Sequence, residues 1–453
     1  MVVDRARRLV ERAGAEYCDF RLVRGPFARI TLKDGEVEVE EGEGFGFSFR
    51  VLANGSWGFA SANRENKLEE AFRRAVRLAK AGEGESGLSE EKAEKGRTKA
   101  RWKKSFVEMD VEDKAAELRE AEKLLRVPGI TNTAVSYSDG LQEKVFLNSE
   151  GCEVVEEAAR VYASLNAIAR KGGEMGSGSE RVGERGGWEA VGGLFEKASR
   201  AAEKALRALS APRVKAGVYT VIVDGEMAGV MAHEAVGHAC EADGVMAGDS
   251  ILEGMVGKKI AADCITIIDD PALPRAFGGY AFDDEGTRAR RKVLVEKGVL
   301  RGFLHSRETA AKFGVRSTGN ARAMGYANAP IVRMSNTFFE RGEMKKEEIF
   351  EVKSALCVKG MRGGQVIPKN GTYVFAAEEG FVVEKGEIKG VVRDVLLTGM
   401  ILETLRKVDA VASDFAFSPG MCGKAGQSVP VSDGGPHIRI RGVRVGGVRP
   451  NSP

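Results

Sequence analysis

Histidine, paired cysteine and long apolar runs are all scarce in this chain of 453 residues. It has four histidines and six cysteines, and no two cysteines form a CxxC pair. This pattern argues against a disulfide-stapled secreted scaffold and favours a reducing compartment. No apolar run approaches the ~20 residues that cross a bilayer, and the N-terminal segment lacks the apolar core of a signal peptide. The sequence therefore predicts a cytoplasmic protein without membrane contact.

An excess of charge of either sign is also missing. The 69 basic and 66 acidic residues give a net charge of +3, and apolar residues make up 43% of the chain. Such a balance gives no overall attraction to nucleic acid. The basic residues 99–104 fall within a charged, glycine-bearing segment, 81–105, which we interpret as a solvated loop. We expect an ordinary globular protein that makes no direct contact with nucleic acid.

The apolar pattern changes character near Pro212. Before it, strand candidates alternate with amphipathic helix candidates. The strands are predicted at 16–23, 28–32, 45–52, 56–60, 131–138, 143–148 and 159–169, and the helices at 1–14, 68–79, 110–127 and 194–210. After it come a buried strand at 218–223, a helix with two histidines, and then mostly strands and turns. This predicts an α+β fold, with an N-terminal α/β layer domain (1–212) and a β-rich C-terminal catalytic domain (213–453).

Two of the four histidines occur together, as His233-Glu234 and His238. In the familiar HExxH zinc motif the histidines are four residues apart, about 40° around a helix. Here they are five apart, which corresponds to about 140° in a regular α-helix. Two ligands so placed can share a metal only if the helix ends between them or contains a π-bulge, and Gly237 is where distortion costs least.

A catalytic zinc site needs a third protein ligand and leaves its fourth position open. Nearby candidates are Cys240, Glu241 and Asp243. A distant candidate is Cys422, since it lies in a predicted loop, 418–427, whose small residues allow a close backbone approach. Spacing alone does not choose between Cys422 and Glu241.

Six motifs in the C-terminal half resemble, in order, those of the TldD/PmbA family of metallopeptidases, and most of all its TldD branch. They are His233–Gly244, Asp283–Gly286, Thr318–Asn320, Arg333–Thr337, Gly363–Val366 and Cys422–Pro430. A looser match covers Gly44–Ala60 in the N-terminal half. Ile367 departs from the pattern, because close relatives are expected to have an acidic residue after GGQV.

The resemblance implies a zinc peptidase that cuts unfolded or flexible polypeptides. It implies one zinc per chain, held by His233, His238 and Cys422, with Glu234 as general base. It also implies an elongated dimer around an internal cavity, formed either with a second copy or with a paralogue that lacks the metal motif. Because this chain keeps the motif, it resembles the active member of such a pair.

Other residues have two interpretations each. Glu241 and Asp243 either orient the ligand imidazoles or form a solvated helix end. Asp284, within an acidic triplet, either contributes to binding a metal or a substrate amine or belongs to a plain turn. Arg322 and Arg333 either bind substrate carbonyls or pair with those acids. Asn320, in a predicted strand-edge loop, either presents its backbone to an extended peptide or simply forms a glycine turn.

Two other functions compete with the peptidase. One is a non-catalytic protein-binding modulator of a nucleic-acid enzyme or of a toxin–antitoxin system. The other is a structural zinc protein, in which a fourth protein ligand such as Glu241 would close the site.

Overall fold

A computed structural model describes residues 1–446. Helices and strands both occur throughout, and the sheets are mixed, which confirms the α+β class. No helix in this described range is long and apolar enough to cross a membrane. Residues 447–453, the end of the predicted C-terminal domain, lie outside the described residues.

The first half of the chain is built on one seven-stranded sheet, with strand order β3-β2-β1-β5-β6-β4 and with β7 also paired to β6. Its strands are β1 Tyr17–Lys33, β2 Glu36–Ala53, β3 Ser56–Ala62, β4 Lys95–Thr98, β5 Ile130–Asn148, β6 Glu153–Lys171 and β7 Glu174–Glu184. Its helices are α1 Val2–Glu11, α2 Leu68–Ala81, α3 Val111–Leu125 and α4 Leu194–Ser210.

Most predicted elements of this half are present, and the predicted turn between β2 and β3 is confirmed: Asn54 and Gly55 have φ of 54° and 64°. The predicted break between residues 23 and 28 was wrong. Strand β1 runs through Gly25 and Pro26 without losing register against β2. The short strand β4 lies within the segment predicted as a solvated loop.

The glycine-rich stretch at 172–193 contains a strand, β7, that the sequence analysis did not predict. The reason lies in its packing against α4. A Cβ at Gly176 would lie 2.2 Å from the carbonyl oxygen of Ala205, and one at Gly178 would lie 2.1 Å from that of Ala201. These glycines therefore allow a helix to rest directly on the strand backbone.

The second half contains two larger sheets and a small two-stranded one. Its strands are β8 Gly217–Val223, β9 Ile267–Asp269, β10 Lys292–Glu296, β11 Val299–Leu300, β12 Ala321–Arg322, β13 Ile331–Val332, β14 Asn336–Phe339, β15 Ser354–Ile367, β16 Thr372–Glu384, β17 Glu387–Val392, β18 Leu396–Met400, β19 Val408–Val411, β20 Ala416–Lys424, β21 Gln427–Gly435 and β22 Ile438–Gly446. Its helices are α5 Gly225–Met231, α6 Ala242–Met246, α7 Arg307–Phe313, α8 Lys346–Ile349 and α9 Ile401–Arg406.

These two sheets enclose the segment that carries the histidines. One has the order β11-β10-β9-β14-β21-β20; the other has the order β15-β8-β22-β18-β16-β17 and closes on itself, because β16 also pairs with β15. Strand β8 leads directly into α5. A Cβ at Gly229 in α5 would lie 2.2 Å from the backbone nitrogen of Gly434, so the helix packs in backbone contact with the β20–β21 hairpin.

Strand pairing keeps the two halves separate. The strands up to β7 pair only with one another, and those from β8 onward do the same within residues 1–446. Pro212 lies in the connection between α4 and β8. The division into domains 1–212 and 213–453 remains a prediction.

Candidate metal centre

The helix that carries the histidines is distorted between them, as their spacing predicted. Asp224 caps α5 by accepting a hydrogen bond from the backbone of Met227 at 2.9 Å. After α5 the chain forms a π-helical segment, Ala232–Gly237, and then a 3₁₀ turn, His238–Cys240. The wider π turn brings residues five apart onto one face. This confirms the predicted distortion, and of the two predicted forms the structure has the π-bulge.

The imidazoles of His233 and His238 and the thiol of Cys422 meet at one point. Cys422 Sγ lies 3.1 Å from His233 Nε2 and 3.4 Å from His238 Nε2. The three candidate ligand atoms all lie within 4.8 Å of one another. His233 and Cys422 are buried, whereas His238 is half-buried. These residues are arranged to hold a metal ion from three sides.

Cys422 lies on a strand, not in the loop that its glycine-rich surroundings predicted. It is on β20, directly across from Val429 of β21. The turn between the two strands is formed by Ala425 and Gly426, whose φ angles are 50° and 73°. A strand fixes the direction of the sulfur more firmly than a loop would.

The charges of the three residues favour the form of cysteine that binds metals. Burial by itself raises the pKa of the Cys422 thiol, but the charges and hydrogen bonds of His233 and His238 outweigh it and lower this pKa to about 4. Although burial lowers the pKa of His233, the sulfur outweighs it and raises that pKa. The sulfur is therefore a thiolate at neutral pH, and a thiolate is the form that ligates zinc.

Behind His238 lies a buried charged network. Glu241 Oε2 lies 3.0 Å from His238 Nδ1 and 3.1 Å from Lys424 Nζ, and its Oε1 lies 3.7 Å from Arg333 Nε. Asp243 accepts a hydrogen bond from the same Lys424 at 2.6 Å. Burial favours the neutral form of Glu241, but its cationic neighbours outweigh this and lower its pKa. Glu241 thus contacts Nδ1 of His238, while the other ring nitrogen, Nε2, faces Cys422.

Glu234 and Asp433 lie on the side of His233. Glu234 is half-buried and close enough to influence the pKa values of both His233 and Asp433. Asp433, on β21, is half-buried beside α5, and desolvation raises its pKa to about 6. Two carboxylates therefore lie near His233. Glu234 follows it in sequence, and Asp433 comes from the β20–β21 hairpin.

The other candidates predicted from the sequence make the hydrogen bonds and ion pairs described here with residues other than His233, His238 and Cys422. Asn320 is fully buried and donates to Asp269 and to the carbonyl of Arg333 at 3.1 and 2.9 Å. Arg322 is buried and donates to the carbonyls of Met334 and Pro430. Asp284 pairs with Lys144 at 3.2 Å and with Arg21 at 3.5 Å. The structure therefore gives Asn320 a packing role and places the other two at a separate cavity.

Sequence reasoning did not identify Lys424 or Asp433, and it proposed Arg333 only for substrate or for other acids. Arg333 donates to the carbonyl of Cys422 and lies beside Glu241. Lys424 reaches Asp243 across a sequence separation of 181 residues. Lys424 and Arg333 both lie in segments that match the family motifs, and this was the signal in the sequence that could have identified them.

Three family models match the chain in sequence order. They are the PmbA/TldA metallopeptidase domain 1 over residues 18–79, the central domain over 104–209 and the C-terminal domain over 216–447. Together these models cover most of the chain.

Full-length relatives agree with the family models. A protein of Methanothermobacter thermautotrophicus named metalloprotease is 42% identical over 436 residues, which are 95% of this chain and 96% of the relative. A zinc metalloprotease TldD homolog of Saccharolobus solfataricus is 30% identical over 444 residues, 96% of this chain and 98% of the relative.

Solved structures share the fold. TldE of Thermococcus kodakarensis has a TM-score of 0.80 at 22% identity and covers 99% of this chain and 100% of its own. A Thermotoga maritima protein described as a candidate modulator of a DNA gyrase has a TM-score of 0.81 at 23% identity, over 98% and 99% of the two chains. By its family models and its relatives, this chain belongs to the PmbA/TldA metallopeptidase family, the TldD/PmbA family that its motifs predicted.

Proposed function

We propose that the protein is a zinc-dependent peptidase whose metal is held by His233, His238 and Cys422, one ion per chain. The observation that carries the proposal is the convergence of these three ligand atoms within 4.8 Å. Zinc is commonly bound by imidazole nitrogen and thiolate sulfur, and three protein ligands with one open position are typical of catalytic zinc.

The donor set fits zinc on two further grounds. The cysteine is held as a thiolate by its neighbours, and the outer nitrogen of His238 is held by Glu241. A bound zinc ion would supply Lewis acidity, which polarises a scissile carbonyl and lowers the pKa of an attacking water toward ~7.

Glu234 is the proposed general base. It follows the ligand His233 directly and remains half-buried, so that its carboxylate is accessible to water. In this role it accepts a proton from the attacking water and passes it to the leaving amine. The carboxylate of Asp433, which is close enough to His233 and Glu234 for both to affect its pKa, helps to set the charge that surrounds that step.

The proposed substrates are unfolded or flexible polypeptides, cut inside the cavity of a dimer. This part of the proposal follows what the resemblance to the family implies. The second subunit is either another copy or a paralogue without the metal motif. The near-neutral charge supports a peptidase without direct nucleic-acid contact, and the six free cysteines support a cytoplasmic location. The alternative, a non-catalytic protein-binding modulator, is favoured only by the gyrase-modulator description of a structural neighbour.

The test separates a catalytic from a structural or binding role. Wild type and Glu234→Gln are purified, their zinc is quantified, and both are incubated with a disordered peptide. We expect both to contain about one zinc per chain and only wild type to cut the peptide, because the variant keeps the ligands and loses the base. Equal cleavage by the two would remove Glu234 from the mechanism. A wild type that holds zinc but cuts no peptide would favour the modulator or the structural zinc protein.

A further inference from the structure

A cavity of about 440 Å³ lies between the N-terminal sheet and the second half of the chain, apart from the proposed zinc ligands. One wall is the sheet face opposite the helices. The other wall is formed by residues 280, 282–284, 322–326 and 430. Its volume falls in the range of small-molecule sites, ~300–1,000 Å³.

Positive charge dominates the lining. Two acidic side chains, Asp283 and Asp284, face six basic ones: Arg21, Arg24, Arg29, Lys144, Arg160 and Arg322. Arg24 and Arg29 are exposed at the rim and pair with Glu143 and Glu40. The remaining four basic residues lie deeper.

Two of the arginines deep in the cavity donate their hydrogen bonds to uncharged groups. Arg160 donates to the carbonyls of Phe277 and Gly279, and Arg322 donates to those of Met334 and Pro430, so the recorded acceptors of both are uncharged. Burial, and after it the positive charges of Arg185 and Arg322, lower the pKa of Arg160 to about 9, although Glu156 and Asp284 act in the opposite direction. The two cations are thus held at an energetic cost.

Arg21 has unused hydrogen-bonding capacity at the same place. It is only 2% exposed. Its Nη2 donates to the carbonyls of Gly325 and Asn328, while its Nε and Nη1 are buried without a hydrogen-bond acceptor in the described residues. Asp284, 3.5 Å from Nη1, is shared with Lys144. An unpaired buried guanidinium edge is suited to an incoming oxyanion.

The acids do not neutralise the site. Both oxygens of Asp283 accept backbone N–H groups, from Glu285, Thr287 and Ala321, and burial raises its pKa to about 7. Among the lining residues Asp284 is therefore the main counter-charge to the deep cations, and Glu156 lies behind it, 3.8 Å from Lys144.

Aromatic rings complete the wall. Tyr280 lies under Arg322, whose guanidinium carbon is 5.0 Å from the ring centroid. The ring of Tyr326 lies on Gly46, where a Cβ would come within 2.4 Å of it. Phe45 and Phe282 also line the space. Flat apolar walls next to arginines favour a ligand that joins a ring to an anionic group.

We propose that this cavity binds an organic oxyanion, a phosphate or carboxylate carried on a flat apolar body, through Arg21, Arg160 and Arg322. The ligand is either a free small molecule or the carboxyl end of a chain that finishes in an aromatic residue. The inference is independent of peptide hydrolysis, since within residues 1–446 none of these three arginines hydrogen-bonds to a proposed zinc ligand.

The experiment is calorimetric titration at constant ionic strength with phenyl phosphate, inorganic phosphate and phenol. We expect one phenyl phosphate per chain with Kd below about 1 mM, and at least about tenfold weaker binding of either half of that molecule. A Phe-terminated peptide with a free or an amidated carboxyl, titrated into the Glu234→Gln protein, distinguishes the two sources. Preference for the free acid over phenyl phosphate identifies a chain end.

Variants locate the binding. Arg160→Leu should weaken binding at least about tenfold, whereas Arg170→Leu, an exposed position on the same strand, should match wild type. Should Arg160→Leu not fold, Arg160→Lys and the rim variant Arg24→Gln replace it, both with weaker binding expected. Bound phenyl phosphate should also slow amide exchange across residues 321–328. The proposal is overturned by no saturable binding of any anionic probe, or by equal weakening in Arg170→Leu.

Discussion

His238 and Glu241 face each other through Nδ1 and Oε2 at 3.0 Å, although the backbone leaves helical geometry between them. Glu241 has φ and ψ of −72° and 111°, an extended conformation that turns its carboxylate back toward the ring. Because the contact occupies Nδ1, the ring presents Nε2 to Cys422. Glu241 is therefore a partner of a proposed ligand, and this arrangement favours Cys422 over Glu241 as the third ligand.

Zinc content should separate the roles of these two residues. Cys422→Ser should lose most of the bound zinc, because a thiolate ligand is replaced by a neutral hydroxyl. Glu241→Gln should keep zinc with an affinity lowered about 10- to 100-fold, as is typical when the partner of a ligand is changed. Metal analysis after dialysis against graded chelator measures both. Full zinc in Cys422→Ser together with none in Glu241→Gln would reverse the assignment.

The π-helical segment should not tolerate a side chain at Gly237. A Cβ there would lie 1.9 Å from the sulfur of buried Met334. We expect Gly237→Ala to lower the free energy of unfolding by about 1–3 kcal/mol and to weaken zinc binding by moving His238. Gly244→Ala is the matched control, since a Cβ there meets nothing within 4 Å. Urea unfolding and zinc titration of both variants test this, and equal effects would refute it.

Asp284 should stabilise the fold in a pH-dependent way. Burial raises its pKa, but Lys144 and Arg21 outweigh burial and lower that pKa to about 2. A lowered carboxyl pKa adds stability that is fully present above the ordinary value near 3.9 and is lost as the pH falls toward 2. Asp284→Asn should cost about 2 kcal/mol at pH 7 and about 1 kcal/mol at pH 3.

Urea unfolding at the two pH values measures this difference. Asp249, an exposed acid whose side chain is 63% accessible and lies 3.3 Å from Lys369, supplies the control. Asp249→Asn should change the free energy of unfolding by less than about 0.5 kcal/mol at either pH. A pH-independent cost of Asp284→Asn would contradict the argument from its ion pairs.

Access to the proposed site should decide which substrates are cut. If the zinc site lies within a dimer cavity, wild type should digest a disordered peptide with loose sequence preference and leave a stably folded domain intact. An extended chain can add itself to a strand edge near the metal, whereas a folded domain cannot enter. The assay follows both substrates over the same time course by mass spectrometry. Digestion of the two at equal rates would refute the enclosed cavity.

The sequence determined the fold class, most of the elements and the helical distortion, because each depends on local periodicity or spacing. The five-residue spacing of His233 and His238 is incompatible with one face of an α-helix, so a distortion, either a π-bulge or an early helix end, followed from geometry alone. The β2–β3 turn followed in the same way from Asn54-Gly55, whose backbone preferences are local. The motifs likewise indicated the family, because they are local runs of sequence.

Only the tertiary structure decided which distant groups meet. Cys422 reaches His233 over 189 positions, and Lys424 reaches Asp243 over 181, through a hairpin whose place depends on the parallel pairing of β21 with β14. The glycines of β7 are explained by its close packing against α4. The cavity with Arg21, Arg160 and Arg322 exists only because two halves of the chain face each other. Burial and long-range charge decide these features, and neither is encoded in the spacing of neighbouring residues.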